Sequence, residues 1–411
     1  MLKRVLIFLF ALAVYLPVYA QHDTTANGTA DTSHASGSHL RISLLTCGPG
    51  EEIYETFGHS AIRVIDSTKT GRQRDVVYNY GFLDSSPDNT VTHQFLTGRI
   101  QVYLATNTIE EFNYQYSDEK RGVEEAVFLL SDSDKRALVA ALENNALRQN
   151  RYYEYSSAYD NCCTRILGIF FKVFGNRFVP GPTLPGGLKL RLREFTDRCG
   201  PETIQHKYWF STAMNILYGC RANKVATNTE SMYIADYFRD GMTRATIDGH
   251  PLCGPTITIF VDNVRWPDVP DGPLILFWTI ALVTIAGLVM RQLSLLGSVM
   301  SIITLLFTGL LGCCIIYFWA IDAEPGWKDN FNVLWALPTN LLLPFCSSRI
   351  KSKYSIVALV LIGVSLVIHL LGIQTIPLHE VTPLLLTQIF VFGVMYRKTA
   401  LVKSIEPAPR R

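Results

Sequence analysis

From Leu295 to Trp319 the chain reads LLGSVMSIITLLFTGLLGCCIIYFW, an uncharged apolar run with the length of one membrane-crossing helix. Such a helix needs about 20 mostly apolar residues, with a usable range of roughly 17–25. Four more apolar stretches flank it, at about 274–290, 331–346, 354–372 and 383–396. The 354–372 stretch also has span length. The others are short, and Pro338 and Pro344 interrupt 331–346, so four spans with one re-entrant segment is the alternative reading. This pattern predicts an all-α, multi-span transmembrane bundle of about five helices over 273–397, with a cytoplasmic tail over 398–411.

Charge gives the orientation. With five spans, the connections alternate between the two faces. One face receives Arg291, then Arg349, Lys351 and Lys353, then Arg397, Lys398, Lys403, Arg410 and Arg411; the other receives only Lys328. Positive charge gathers on the cytoplasmic side, which places residues 40–272 outside the cytoplasm. The N-terminus agrees. Lys3 and Arg4 precede the apolar run Val5 to Leu16, and Val18-Tyr19-Ala20 ends in a small residue, so residues 1–20 read as a secretory signal peptide. An uncleaved N-terminal anchor is the other reading. Residues 21–39 are dominated by Ser, Thr, Gly, Asp and His, a composition too polar to bury a core, and read as a disordered linker. His22, His34 and His39 in it read as solvated. Helical rather than barrel-forming spans indicate the inner membrane.

The remaining segment, 40–272, reads as an α+β domain. Leu40–Thr46, Ala61–Ile65, Val76–Tyr80 and Ile100–Leu104 have strand character, separated by Gly, Pro, Asp and Ser. Residues 108–122, 132–148 and 161–174 have helical periodicity, with Ser131 placed to cap the second helix. The net charge of +2 shows no concentrated basic face, which argues against a nucleic-acid partner.

Two short segments carry chemistry. One is Phe57-Gly58-His59-Ser60-Ala61-Ile62-Arg63-Val64, which puts a histidine at the opening of a strand. The other is Tyr159-Asp160-Asn161-Cys162-Cys163-Thr164-Arg165, which puts a cysteine at a helix start. A helix N-terminus favours negative charge, so a thiol there ionises more readily, and the thiolate is the nucleophile. An imidazole nearby shuttles the proton, and the first-turn N–H groups form an oxyanion hole. The competing reading is structural. The exported segment has six cysteines (Cys47, Cys162, Cys163, Cys199, Cys220 and Cys253), enough for three disulfides and no nucleophile. No CxxC or HxxxH spacing suggests a metal, and no cofactor motif is present.

A histidine preceding an Asn-Cys helix start resembles the circularly permuted papain-like enzymes, the group of NlpC-related amidases and of the lecithin:retinol acyltransferase type. The segments Leu44-Leu45-Thr46-Cys47-Gly48-Pro49-Gly50, Phe57 to Val64, Tyr78-Asn79-Tyr80-Gly81-Phe82 and Asp160-Asn161-Cys162 more closely resemble the Bacteroidetes lipoprotein N-acyltransferase family, called Lnb. Asn330-Phe331-Asn332-Val333-Leu334-Trp335 resembles the membrane part of that family. The resemblance implies a permuted papain-like periplasmic domain with Cys162 and His59 as the catalytic pair; a third polar group normally orients the base, and Asn79 or Tyr80 on the next strand is placed to do so. Asn161-Cys162-Cys163-Thr164 departs from the expected Asn-Cys-Thr, which leaves both cysteines open as nucleophile. Cys162 is preferred because it directly follows Asn161. The resemblance also implies an acyltransferase that takes a chain from a phospholipid donor to a diacylated lipoprotein at the membrane, without a cofactor. A membrane-anchored cysteine peptidase or amidase acting on peptidoglycan, and a non-enzymatic envelope assembly protein, are the alternatives.

Overall fold

The computed structural model describes residues 38–405 apart from 85–89, 204–206, 265–268 and 322–323. The expected signal peptide, most of the linker and the end of the tail lie outside the described residues. Residues 40–411 cluster as one unit.

Its soluble part is built on a seven-stranded antiparallel sheet. The strands are β1 (Leu40–Cys47), β2 (His59–Asp66), β3 (Asp75–Leu83), β4 (Gln101–Thr108), β5 (Val123–Phe128), β6 (Tyr152–Glu154) and, after the three short strands of a second sheet, β7 (Phe178–Val179), β8 (Thr246–Ile247) and β9 (His250–Pro251), the edge strand β10 (Cys253–Phe260). The spatial order is β10-β5-β1-β2-β3-β4-β6. Alternate residues of a strand face opposite sides, and here both sides are covered. Ile42, Leu44, Ile62, Val64, Tyr78 and Tyr80 pack under helix α3 (Asp132–Ala146) and helix α4 (Cys162–Phe174). Leu45, Ala61 and Val77 meet Phe112 and Tyr116 of helix α2 (Ile109–Asp118) on the other side. Helix α1 (Val91–Thr97) lies between β3 and β4 in the chain.

The membrane part differs from the expected five helices. The described residues contain four helices long and apolar enough to cross a bilayer: α9 (Gly272–Val289), α10 (Ser294–Ala320), α11 (Ser348–Leu370) and α12 (Leu378–Ile405), which follow α5 (Leu192–Thr203), α6 (Lys207–Leu217), α7 (Asn228–Ser231) and α8 (Ala235–Thr243) in the chain. The third apolar stretch is instead a run of 3-10 turns at Phe331–Leu334, Pro338–Leu341 and Leu343–Phe345. Pro338 and Pro344 cannot donate the hydrogen bonds of an α-helix. At about 2.0 Å per residue, a 3-10 path of this length still reaches roughly 30 Å, near the thickness of a hydrocarbon core.

This stretch runs back along α10, with Ala336 against Gly312 and Leu341 against Gly309. A Cβ on Gly309 would lie 2.8 Å from the Leu341 amide nitrogen, so glycine is what permits the approach. Irregular backbone at membrane depth is tolerated where protein surrounds it. Asn332, Trp335, Ala336 and Asn340 are all fully buried. Asn340 donates to Thr308 Oγ1 at 3.0 Å and accepts from the Tyr354 hydroxyl at 2.7 Å.

The two parts interlock. Gly219 N–H donates to the Gly326 carbonyl at 3.0 Å and Cys220 N–H to the Asp329 carbonyl at 3.1 Å. Asn330 Nδ2 donates to the carbonyls that end α6, Ile216 at 2.9 Å and Leu217 at 2.8 Å. Arg193 on α5, almost fully buried, donates to the Thr375 carbonyl at 2.7 Å. The connections α10–Phe331 and α11–α12 therefore sit against the sheet-bearing part. Arg291 and the Arg349, Lys351 and Lys353 cluster lie at the other end of the helices.

Candidate thiol–imidazole site

The turn before β2 decides where the histidine goes. Gly58 has φ +71°, and a Cβ there would stand 2.6 Å from the Cys47 carbonyl oxygen. Only glycine fits a left-handed residue in that space. The next residue, His59, opens β2 opposite Cys47 of β1.

The cysteine is placed by a helix cap. Asn161 is the N-cap of α4, and its side-chain oxygen accepts from Thr164 N–H at 3.0 Å. Thr164 Oγ1 accepts from Asn161 N–H at 2.7 Å, which closes a capping box. Asn161 Nδ2 adds two ties at 2.7 Å, to the carbonyls of Ser157 and Tyr233. Ile166, Leu167, Ile169, Phe170 and Phe174 of α4 are buried in the core beneath the sheet. The apolar face thus fixes the helix axis, and the cap fixes its first residue, Cys162.

These elements bring Cys162, His59 and Asn79 together. His59 Nε2 lies 2.5 Å from Asn79 Oδ1. Asn79 Nδ2 points to Asn107 Oδ1 at 3.5 Å, which is consistent with its oxygen facing the ring. Nε2–H then donates to Asn79, and Nδ1 is left as the basic nitrogen. The imidazole and the Cys162 sulfur are close enough to shift each other's titration, the sulfur raising the pKa of His59 and the imidazole lowering that of Cys162. Both residues are half-buried.

The electrostatics separate the two neighbouring cysteines. The Cys163 thiol, with Sγ 3.9 Å from Cys162 Sγ, holds the Cys162 pKa down. Burial opposes this, but the His59 imidazole and the Ser60 backbone N–H add to it, and the net result is well below the ordinary thiol range. For His59, burial lowers the pKa while the Cys162 thiolate and Asn79 raise it, and the raising effects win. The pair favours thiolate and imidazolium. Cys163 is buried, lies 3.6 Å from Ser60 Oγ, and is pushed well above the ordinary range by burial and by its neighbour.

Tyr80 does not join the group. Asn79 shares a face of β3 with Val77, so Tyr80 points to the opposite side. There its hydroxyl accepts from Asn145 Nδ2 at 3.0 Å in the core with Tyr78 and Tyr153. Of the alternatives for a group that orients the imidazole, the geometry pairs Asn79 with His59.

Other residues near the imidazole had no sequence motif to mark them. The Tyr116 ring lies roughly parallel to His59, with centroids 6.5 Å apart and 16° between planes. Arg121 stands over Tyr116 at 4.7 Å and pairs with Glu119 at 2.8 Å and Glu55 at 3.1 Å. Burial pushes the Cys47 thiol up to about 12, which keeps it protonated. Cys47, Cys162, Cys163, Cys220 and Cys253 are all free thiols, so a three-disulfide framework is not formed among the described cysteines. No cluster of three or more His, Cys, Asp or Glu among the described residues is placed to hold a metal ion.

The start of α12 and the connection after α10 have separate fates. His379 and Glu380 line a cavity of about 400 Å³ with Arg193, Asp197, Tyr208 and Asp271, and none of the thiol–imidazole residues borders it. Glu324, from the connection after α10, reaches the segment just before Cys162.

Comparison with known families gives two matches. The Lnb N-terminal periplasmic domain matches residues 29–179, and the Lnb transmembrane domain matches residues 271–401. Both candidate residues, His59 and Cys162, lie in the first region. No curated protein and no solved structure matches the chain.

Proposed function

We propose, from the premise that this chain belongs to the Lnb family, that it is a lipoprotein N-acyltransferase working through a thioester on Cys162. The observation that carries the reading is the Cys162–His59–Asn79 arrangement, in which the thiol is held well below its ordinary pKa and the imidazole above. In this reading the Cys162 thiolate attacks an ester carbonyl of a phospholipid. First-turn N–H groups of α4 stabilise the oxyanion, because a helix start leaves its amides without intrahelical partners. The tetrahedral intermediate collapses, the C–O bond breaks, and the lysophospholipid oxygen takes the proton from His59. The acyl chain remains on sulfur.

The second half uses the same groups in reverse. The α-amino group of a diacylglyceryl-cysteine attacks the thioester, His59 takes a proton from the nitrogen, and the C–S bond breaks. The products are an N-acylated lipoprotein and the Cys162 thiolate. A covalent intermediate divides one difficult transfer into two easier ones. Both substrates are lipid-anchored, which supports a site joined to membrane helices. We further propose the inner membrane as the location, with residues 40–272 as the catalytic part and 273–397 as the membrane part.

The test is mass spectrometry of a lipoprotein's N-terminal peptide from cells that depend on this protein, carrying the wild type, Cys162→Ala, Cys163→Ala or His59→Ala. The N-linked chain is expected to disappear with Cys162→Ala and His59→Ala and to persist with Cys163→Ala. An unchanged N-terminus in all variants would sink the reading and move the assignment to an amidase.

A further inference from the structure

Glu324 belongs to the connection that follows α10, yet its carboxylate is spent on the segment that precedes Cys162. Oε1 accepts from Ser157 N–H at 2.5 Å and from Ser157 Oγ at 2.9 Å. Oε2 accepts from Ser156 Oγ at 2.8 Å. The Ser157 carbonyl in turn accepts from Asn161 Nδ2 at 2.7 Å, and Asn161 caps the helix that begins at Cys162. Ser156 and Asp160 also exchange backbone hydrogen bonds at 3.0 and 3.1 Å, which folds the segment into a closed turn. A continuous path of short hydrogen bonds therefore leads from Glu324 through Ser157 to Asn161, the residue joined directly to the candidate nucleophile.

The base of that path is fixed. Trp327, three residues on, is buried edge-on against Phe318 of α10 at 5.3 Å and against Phe95 of α1 at 6.1 Å. The Tyr317 hydroxyl donates to the Leu96 carbonyl at 2.5 Å. The connection that presents the carboxylate is therefore packed against the end of α10 and against α1. A carboxylate that accepts three hydrogen bonds on two adjacent residues restrains a turn more tightly than backbone contacts alone.

We propose that Glu324 is a positioning residue for Cys162, through which the membrane part sets the register of the nucleophile. It touches no reacting atom in this scheme. Its role is to accept hydrogen bonds, so a glutamine, which keeps one acceptor oxygen for Ser157, retains most of it. This inference rests on Cys162 being the reactive thiol of the proposed function.

The test uses the full-length protein in lipid nanodiscs and reads alkylation of Cys162 by iodoacetamide as a function of pH, with the site identified by peptide mass. Glu324→Ala is expected to slow alkylation by about tenfold or more and to move its inflection to higher pH, because an ångström-scale misplacement of a reacting group is costly. Glu324→Gln is expected to stay within about threefold of the wild type. Ser156→Ala/Ser157→Ala removes the side-chain donors from the other side and should move the profile in the same direction as Glu324→Ala. Unchanged profiles in Glu324→Ala and in the double serine variant overturn the inference, and so does a Glu324→Gln profile as impaired as that of Glu324→Ala. Cys162→Ala assayed for acyl transfer keeps the two ideas apart. Transfer surviving in that variant removes the proposed function, whereas an intact alkylation profile in Glu324→Ala beside a dead Cys162→Ala removes only the role of Glu324.

Discussion

At the residue scale, the chemistry depends on which protons sit where. Cys162 is held below the ordinary thiol pKa and His59 above the ordinary imidazole pKa, and both shifts favour the thiolate–imidazolium form over the neutral pair. Below the Cys162 pKa the sulfur is protonated and unreactive. Above the His59 pKa the imidazole has no proton for the leaving oxygen. Acyl transfer should therefore rise as pH climbs through the depressed thiol pKa and fall as pH passes the raised imidazole pKa. Alkylation of Cys162 should follow the first limb only. His59→Ala should move that limb up toward the ordinary thiol value of about 8.5, and a wild-type limb already at that value would remove the ion pair from the mechanism. Asn79→Ala should lower kcat by about tenfold or more, since a misoriented base forfeits part of the roughly 10²–10⁴ such groups contribute. Tyr80→Phe loses only the bond to Asn145 and should leave kcat unchanged. The sequence could not choose between Asn79 and Tyr80, because strand alternation separates two neighbours but does not say which face holds the histidine. Register against β2 and β4 supplies that, and register is a tertiary fact.

At the element scale, the segments that were legible are those whose burial pattern is local. β1 to β4, α3 and α4 follow from alternation, capping and periodicity in their own residues. β5 does not, because Val123–Phe128 carries Glu124 and Glu125 in its middle. Glu125 is buried nonetheless, accepting from Ser43 Oγ at 2.5 Å and pairing with Arg41 at 3.1 Å and Arg63 at 3.2 Å. An interior charge whose partners come from β1 and β2 cannot be recognised from its own strand. The 331–346 stretch is open between a span and a re-entrant segment in the sequence for a related reason, since the glycines that receive it lie on α10. The start of α4 offers the sharpest test at this scale. Asn161→Ala removes the cap, worth about 1 kcal/mol, and two further hydrogen bonds of about 1 kcal/mol each. Asn161→Ser restores the cap alone. Thermal melts should rank wild type above Asn161→Ser above Asn161→Ala, while acyl transfer should fall in both variants because both free the Ser157 tie. Transfer that recovered fully with serine would show that the cap alone places the thiol.

At the scale of the whole molecule, the question is why a thiol–imidazole site of this kind is welded to membrane helices. A hydrolase of soluble substrates gains nothing from such a joint, whereas an enzyme whose donor and acceptor are both lipid-anchored must hold its nucleophile at a fixed height above the bilayer. The joint is specific enough to be broken at one atom. Gly219 lies so close to the Lys328 carbonyl that a Cβ would collide with it, while its own N–H donates to Gly326 at 3.0 Å. Gly219→Val should therefore push the 324–330 connection away from α6, exposing it to protease in nanodiscs and slowing acyl transfer by about tenfold or more, since both the clash and the lost hydrogen bonds act on the segment that holds Ser157. Gly363→Ala is the matched control. It lies in α11, where an added Cβ meets nothing within 4 Å, and it should leave cleavage and transfer as they are. If Gly219→Val behaved like that control, the two parts would be joined without being coupled at this point, and the height of the site would have to be set by the other ties between them, such as Arg193 with the Thr375 carbonyl. If cleavage and slow transfer appeared together, with the far end of the helices unaffected, the membrane part would be acting on the thiol through this joint and not merely holding the chain in the bilayer.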